Sequence, residues 1–427
     1  MNSQSTKKYQ YMGELTLPGD KSISHRAIIF ASIANGKSII RNLLVSGDTN
    51  ATIEAFRSMG IEIEINNQEV VIYGKGLKGL SKPKESIDCG NSGTTARLLI
   101  GLLTGQGFDS TVVGSQQLNK RPMDRVSNPL NEIGCNVESS SERLPVFIKP
   151  SRINKFVINT NVASAQVKSS LMLASMYSEQ PVVVVENKAT RDHTEKIMSY
   201  LNIDVVRMGD TVSVPPVHNI PNFSETVPAD ISSAAFLVAL GLLTDSSINL
   251  KNVLINESRM GFVKALVQMG AEINIDNTST QFGEQVGDLK ISKSSLIGID
   301  LGEDNIPSII DELPIFALVA SQAEGETSVK GVGELRVKES DRLEAISQLF
   351  TELGMSIEIY EDGFKITGPQ EIKSGIVKTY GDHRIAMTAI IAAIVANKEI
   401  KPDNIGCIED SYPSFFNDLQ SIGVDSL

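Results

Sequence analysis

The stretch DKSISHRAIIFASIA, positions 20–34, opens on a polar turn and runs into a helix. Ile23, Ala27, Phe30, Ala31 and Ala34 fall at i, i+4, i+7, i+8 and i+11, the stripe of a 3.6-residue period, and Gly36 stands where a left-handed C′ residue is expected. Stretches of the same kind begin near Asn91, Ser164, Asp230, Asp311 and Asp382, roughly one every 70 residues. They read TTARLLIGLLTG, SAQVKSSLMLAS, ISSAAFLVALGLLT, ELPIFALVASQA and HRIAMTAIIAAIVA. Each leads through a strand and a turn into a second, amphipathic helix, and these stop at Gly60, Gly134, Asn202, Gly270, Gly354 and Gly423. Glycine, with asparagine as the tolerated substitute, is what a left-handed helix terminus demands. Alternating strands such as IEIEI after Gly60, AEINI after Gly270 and MSIEIY after Gly354 follow most of the stops.

One strand–helix–strand–helix–strand repeat cannot bury both of its helices, so the copies must share a core. The spacing therefore predicts an α/β protein of two similar domains with three repeats each. The first spans 20–226. The second spans 227–427 together with 1–19, whose segment KYQYMGELTL reads as a strand completing that second domain. A chain of 427 residues is long enough for this, and 41% hydrophobic residues argue against disorder. The net charge of −12 disfavours nucleic acid and anionic membranes as partners, so any anion site must be a local cluster of cations. Cys89, Cys135 and Cys407 are far apart, which argues against a disulfide framework or a zinc site and for a reducing compartment. The opening MNSQSTKKYQ has no apolar core, and no apolar run of about 18 residues occurs; a cytoplasmic protein is the expectation.

The starts of these helices gather cations and small polar residues. GDKSISHR carries Lys21, Ser22 and Arg26; GNSGTTAR carries Asn91, Ser92, Gly93, Thr94 and Arg97; ASAQVKSS carries Ser164, Gln166 and Lys168; YGDHRIAM carries His383 and Arg384. Second helices add Arg121 and Arg125 in KRPMDR, and Lys338, Glu339 and Arg342 in VKESDRLEAI. A helix N-terminus offers unpaired N–H groups and partial positive charge, so such places suit anions. Taken singly, each has a plain reading as a solvated cation or a cap. Their recurrence at equivalent places lets them converge on a ligand with several negative charges. Asp311 reads either as an N-cap or as a carboxylate for proton work among cations, and Glu339 either as an ion-pair partner or as a second such carboxylate. Asp230, with no cation beside it, reads as a cap. TRDHTEK lacks the paired histidines of a helical zinc site, and its carboxylates suit a helix dipole.

GDKSISHR, GNSGTTAR, KRPMDR, SAQVKSS, DELPIFALVA, RVKESDRL and YGDHRIAM, in this order from Gly19 to Met387, resemble the 3-phosphoshikimate 1-carboxyvinyltransferases, the EPSP synthases. GNSGTT and SAQVKSS are similar to the second of that family's two sequence subgroups. The resemblance implies two domains, each of three βαβαββ repeats in an inside-out α/β barrel, with the active site in the interdomain cleft and closure over the substrates. It implies transfer of an enolpyruvyl group from phosphoenolpyruvate to the 5-hydroxyl of shikimate 3-phosphate, with no metal and no organic cofactor. By motif, Lys21, Ser22, Arg26, Ser164, Ala165, Gln166, Asp311 and Lys338 would bind shikimate 3-phosphate. Lys21, Asn91, Gly93, Thr94, Arg121, Gln166, Arg342 and Arg384 would bind phosphoenolpyruvate, with His383 as a further contact. Asp311, Glu339 and Lys21 would be catalytic. Asp410 stands where many relatives have lysine, and Ala165 where the other subgroup has serine. The expected partners are these two small molecules, the expected state a monomer.

Two rivals remain at this stage. The sister transferase acting on UDP-N-acetylglucosamine has Lys-Asn near its start and a reactive cysteine in the second repeat; here Ser22 follows Lys21 and the KRPMDR region has no cysteine. A non-catalytic pseudo-symmetric clamp on DNA would need basic residues in every repeat, which the fourth does not supply at its first helix.

Overall fold

The computed structural model describes residues 11–66, 69–160 and 162–424. Residues 1–10, the opening MNSQSTKKYQ with the first three residues of KYQYMGELTL, lie outside them. Among the described residues the helices come in six pairs: Lys21–Ser32 (α1) with Gly47–Ser58 (α2), Gly93–Leu103 (α3) with Asp124–Glu132 (α4), and Ala165–Ser175 (α5) with His193–Tyr200 (α6). Then follow Ile231–Leu243 (α7) with Gly261–Gln268 (α8), a short Ile306–Ile309 (α9) ahead of Leu313–Gln322 (α10) with Arg342–Glu352 (α11), and His383–Ala396 (α12) with Phe415–Ser421 (α13). All six expected stop residues take the left-handed conformation, with φ of +85° at Gly60, +98° at Gly134, +60° at Asn202, +97° at Gly270, +68° at Gly354 and +96° at Gly423. The recurrence in the sequence is thus a recurrence of backbone geometry.

The first helix of each pair is buried on nearly all sides. In α7 every residue from Ile231 to Leu242 is buried, and in α1 every residue from Ile23 to Ser32. That explains their composition: a helix without a solvent face has no place for long charged side chains and favours Ala, Leu, Ile and small hydroxyls. Each large apolar side chain buried this way contributes about 1.5–3 kcal/mol. Buried hydroxyls are satisfied within the helix, as where Ser32 donates to the Ile28 carbonyl and Ser175 to that of Leu171, both at 2.7 Å. The second helices bury one face only; α11 covers Leu343, Ile346, Leu349 and Phe350 and exposes the rest of its surface in part.

Among the described residues, five four-stranded sheets and one two-stranded sheet accompany the helices. Each four-stranded sheet contains one parallel pair flanking a buried helix, continued by an antiparallel strand. In two of them the parallel partner is distant in sequence. Tyr11–Thr16 pairs with Ser246–Leu254, with Tyr11 opposite Ser246, and Ser224–Thr226 pairs with Asn35–Arg41, with Ser224 opposite Ile39. The strand preceding α1 therefore completes the sheet that follows α7, and the strand preceding α7 completes the sheet that follows α1.

The chain divides into two compact units. The N-terminal unit is Gly19–Pro228 with Thr280–Glu284; the C-terminal unit is the chain up to Pro18, Ala229–Ser279 and Gln285 onward. The five residues Thr280–Glu284, at the tip of a hairpin, were not part of the two-domain reading of the sequence. Gly36 does not cap α1. The helix ends at Ile33, the Asn35 amide is taken by the Ile220 carbonyl at 2.9 Å, and Gly36, at φ +97°, lies inside the strand that follows.

Candidate active site

In the N-terminal unit the starts of α1, α3 and α5 are stitched together by side chains. Asp20 caps α1 through the Ile23 amide (2.9 Å), which places Lys21 and Ser22 in the first turn. The Lys21 ammonium donates to Asp48 Oδ2 at 2.9 Å; Asp48 sits in the first turn of α2, behind a capping box of Ser46 and Thr49. Arg26, one turn into α1, donates through Nε to Thr194 (2.7 Å), through Nη2 to Ser169 (2.7 Å) and through Nη1 to the Ser22 carbonyl (2.8 Å). Burial lowers its pKa to about 10, Glu195 and Asp20 counteract this, and Arg191 adds repulsion; Arg26 stays a cation at neutral pH.

Ser92 caps α3 and leaves Gly93 and Thr94 as its first residues. Gln166 of α5 donates to Thr94 Oγ1 at 2.9 Å and accepts from Arg97 Nη1 at 2.5 Å, while Arg97 Nη2 holds the Pro122 carbonyl at 3.0 Å. Ser164 caps α5 through the Val167 amide, and Ala165 is the first helical residue. Arg121 reaches the same place: a Cβ on Gly93 would lie 2.7 Å from its Nη1. Asn91 takes the hydroxyl of Ser115. Cations, amides and three helix starts at one edge of the unit are a setting for a polyanion.

In the C-terminal unit the centre is Arg342, whose side chain is 1% exposed and whose nitrogens meet three carboxylates. Nε donates to Asp382 Oδ2 at 2.8 Å, Nη1 to Asp311 Oδ1 at 3.2 Å and Nη2 to Glu339 Oε2 at 2.6 Å. Lys338 also holds Asp311, at 3.1 Å. Arg384, in the first turn of α12, donates from Nη1 to the Asp311 carbonyl at 2.8 Å and lies 3.4 Å from the buried Glu312. Burial works against the charge on Arg342, but Asp382, Glu339 and Asp311 outweigh it and raise its pKa. Burial likewise pushes the Asp382 carboxyl up, yet Arg342, with help from His383, holds it below the ordinary carboxylate range.

The EPSP synthase (3-phosphoshikimate 1-carboxyvinyltransferase) family matches residues 6–419 of the chain. The chain is 45% identical over 413 residues to the 3-phosphoshikimate 1-carboxyvinyltransferase of Oceanobacillus iheyensis, covering 96% of each protein. It is 42% identical over 428 residues to the enzyme of that name from Thermodesulfovibrio yellowstonii, covering 99% of this chain and all of that one. The chain belongs to the EPSP synthase family. A solved EPSP synthase from Acinetobacter baumannii superposes with a TM-score of 0.87 at 36% identity, over 98% of this chain and 97% of that one. The α/β repeat fold implied by the motifs is therefore that of the family.

The family's sequence-marked residues fall into two sets. Lys21, Ser22, Arg26, Asn91, Gly93, Thr94, Arg121, Ser164, Ala165 and Gln166 lie in the N-terminal unit, and Asp311, Lys338, Glu339, Arg342, His383 and Arg384 in the C-terminal unit. Asp311 is not an N-cap: it lies in a 3₁₀ turn, Ile310–Glu312, and its carboxylate points to Lys338 and Arg342. Lys168 does not join the anion-binding edge; it is fully buried, 3.1 Å from Glu186 and 2.6 Å from Glu195. Glu195 is accordingly an interior ion-pair partner and not a mere dipole charge.

Asp192, His193 and Glu284 bring donor atoms within 4.8 Å of one another, and the Lys196 ammonium ties both carboxylates, at 3.5 and 3.2 Å. Sequence reading missed Asp48, Asp382 as a partner of Arg342, and Arg191 beside Arg26. A carboxylate in the first turn of a capped helix was the available signal for Asp48. No comparable signal marked the others. No helix among the described residues is long and apolar enough to cross a membrane.

Proposed function

We infer that this EPSP-synthase-family protein transfers the enolpyruvyl group of phosphoenolpyruvate to the 5-hydroxyl of shikimate 3-phosphate and releases phosphate, on the route to chorismate and the aromatic amino acids. The observation that carries the reading is the trio Asp311, Arg342 and Glu339, two carboxylates on one buried guanidinium with Lys338 beside them. Asp311 takes the proton of the 5-hydroxyl as its oxygen bonds to the central carbon of phosphoenolpyruvate. Glu339 gives a proton to the methylene carbon, then removes one from the resulting methyl as phosphate leaves. The proton that Asp311 took up leaves with the phosphate, and Lys21 assists proton transfer at the reacting oxygens. Electrostatic holding of both anions by fixed cations supplies the rest.

The domain 20–226 takes the shikimate phosphate side through Lys21, Ser22, Arg26, Ser164, Ala165 and Gln166; Asp311 and Lys338, from the domain 227–427 with 1–19, bind the ring hydroxyls. Phosphoenolpyruvate takes Lys21, Asn91, Gly93, Thr94, Arg121, Gln166, Arg342 and Arg384, with His383 adjacent. A ligand carboxylate that takes over Arg342 Nη2 releases Glu339 from its ion pair and leaves it able to carry a proton. Arg191, close enough to Arg26 to weigh on its titration, joins the phosphate side. The enzyme is read as a cytoplasmic monomer.

The deciding experiment is phosphate release by the full chain. Release is expected with phosphoenolpyruvate plus shikimate 3-phosphate and not with phosphoenolpyruvate plus UDP-N-acetylglucosamine. Turnover only with the nucleotide sugar would reverse the assignment of acceptor. Gly93→Ala is a second test. A Cβ there would meet the far end of the Arg121 side chain, at 2.7 Å, and Leu118, at 3.7 Å. The fold is expected to survive, and KM for phosphoenolpyruvate to rise about tenfold with that for shikimate 3-phosphate unchanged, the loss of roughly one well-placed contact. Equal weakening of both substrates would detach Gly93 and Arg121 from phosphoenolpyruvate.

A further inference from the structure

Four residues that the mechanism does not use form a buried chain of hydrogen bonds in the N-terminal unit. His25 Nδ1 lies 2.7 Å from Thr52 Oγ1, Thr52 Oγ1 lies 2.7 Å from Thr95 Oγ1, and Thr95 Oγ1 donates to Ser92 Oγ at 2.8 Å. His25, Thr52 and Thr95 are fully buried and Ser92 nearly so. The four residues join three parts of the site. His25 belongs to α1, one turn after Lys21; Thr52 belongs to α2, one turn after Asp48; Ser92 is the cap of α3 and precedes Gly93 and Thr94. Thr95 also approaches the Asp48 carbonyl, at 3.4 Å.

The direction of the chain is fixed by proton counting. A threonine hydroxyl has one proton. That of Thr95 goes to Ser92 Oγ or to the Asp48 carbonyl, so Thr95 accepts from Thr52. The single Thr52 proton is then spent, so Thr52 accepts from His25, and Nδ1 carries the histidine proton. Nε2 is left as a bare acceptor, and it is buried without a hydrogen-bond partner among the described residues. A second proton there would be a buried charge without a partner. Burial lowers the His25 pKa to about 3, with Lys21 and Arg26 adding to the fall and Asp48 and Asp20 opposing it. His25 is thus neutral, in one tautomer, across the working pH range.

We propose that His25 is a positioning residue for the reaction: through Thr52 and Thr95 it holds the Ser92 cap, and with it the Gly93–Thr94 turn, in fixed register with Lys21 and Asp48. The proposal rests on the assignment of Gly93 and Thr94 to phosphoenolpyruvate given above. The relay ends on α3, whose Gly93 and Thr94 are assigned to phosphoenolpyruvate alone, and not on the Arg26–Ser169–Thr194 contacts beside it.

The test uses the full chain and two readouts. Thr52→Val keeps the shape and removes the hydroxyl; KM for phosphoenolpyruvate is expected to rise about five- to tenfold while KM for shikimate 3-phosphate stays within about twofold, as for loss of one buried hydrogen bond. His25→Asn offers an amide near the place of Nδ1 and is expected to recover most of the phosphoenolpyruvate affinity that His25→Gln and His25→Phe lose. Long-range ¹H–¹⁵N spectra of histidine-labelled protein, which has four histidines to assign, are expected to give His25 as the Nδ1–H tautomer, unchanged between about pH 5 and 9. An Nε2–H tautomer, or a His25 that titrates in that window, overturns the relay without reference to any substrate. The predicted tautomer together with equal loss of both substrates in Thr52→Val overturns the positioning role instead. If the wild type releases no phosphate from this substrate pair, the assignment of function fails, and the tautomer readout still judges the relay.

Discussion

Asp311→Ala is expected to lower kcat by about 10²- to 10⁴-fold while the protein stays folded, the size of effect found when a positioned general base is removed. Asp311 has little freedom. Its carboxylate is held by Lys338 at 3.1 Å and Arg342 at 3.2 Å, and its backbone carbonyl by Arg384 at 2.8 Å. A carboxylate held by two cations, on a backbone held by a third, is aimed, which a base for the 5-hydroxyl requires. Truncation does not strip the site of its order, because Arg342 keeps Asp382 and Glu339 as partners and Arg384 keeps the carbonyl. Lys338 is 24% exposed at its side chain, so its charge is not left in the interior. Thermal unfolding within a few degrees of wild type, with phosphoenolpyruvate binding retained and turnover lost, is the expected pattern. A variant that keeps wild-type kcat would remove Asp311 from the chemistry, and Glu339 would have to be examined as base as well as acid.

The residues that could be read from the sequence are those whose role is local. Helix starts and stops follow from backbone rules acting over four or five residues, which is why all six left-handed stops stand where the sequence places them. Gly36 failed because its conformation serves a strand, under a constraint imposed from Ile220, far along the chain. The site shows the same division. Lys21, Gly93, Asp311 and Arg342 announce themselves by motif. Their partners do not: Arg26 is fixed by Ser169 and Thr194, 143 and 168 positions away, and Arg342 by Asp382, 40 positions away. Asp382 could be seen only as a helix cap, because capping is local and pairing is not. Lys168 erred in the other direction. A lysine beside a ligand-like motif looked available, yet Glu186 and Glu195 take it into the interior. The choice between a substrate contact and an internal ion pair is made by tertiary packing, and one sequence carries no record of it.

Arg342→Met carries the second large effect, on stability as well as activity. Methionine fills much of the volume but leaves Asp382, Asp311 and Glu339 facing one another without the guanidinium. Breaking a buried pair from one side costs about 3–5 kcal/mol, so a fall in Tm of roughly 6–20 °C is expected for a unit of this size. The pH dependence separates this cause from simple loss of packing. In the wild type Arg342 holds the Asp382 carboxyl below its ordinary value, so the stability it gives is complete above the unfolded carboxylate pKa of about 4 and is lost as pH falls through the lower folded value. In the variant the sign reverses: with the cation gone, burial pushes Asp382 up, the penalty is largest at neutral pH, and protonation relieves it. The gap in Tm between wild type and Arg342→Met should therefore narrow steadily from pH 7 to about pH 4. A gap that is constant over that range would mean that Arg342 stabilises by its packed volume, and the carboxylates around it, Asp311 included, would not depend on its charge.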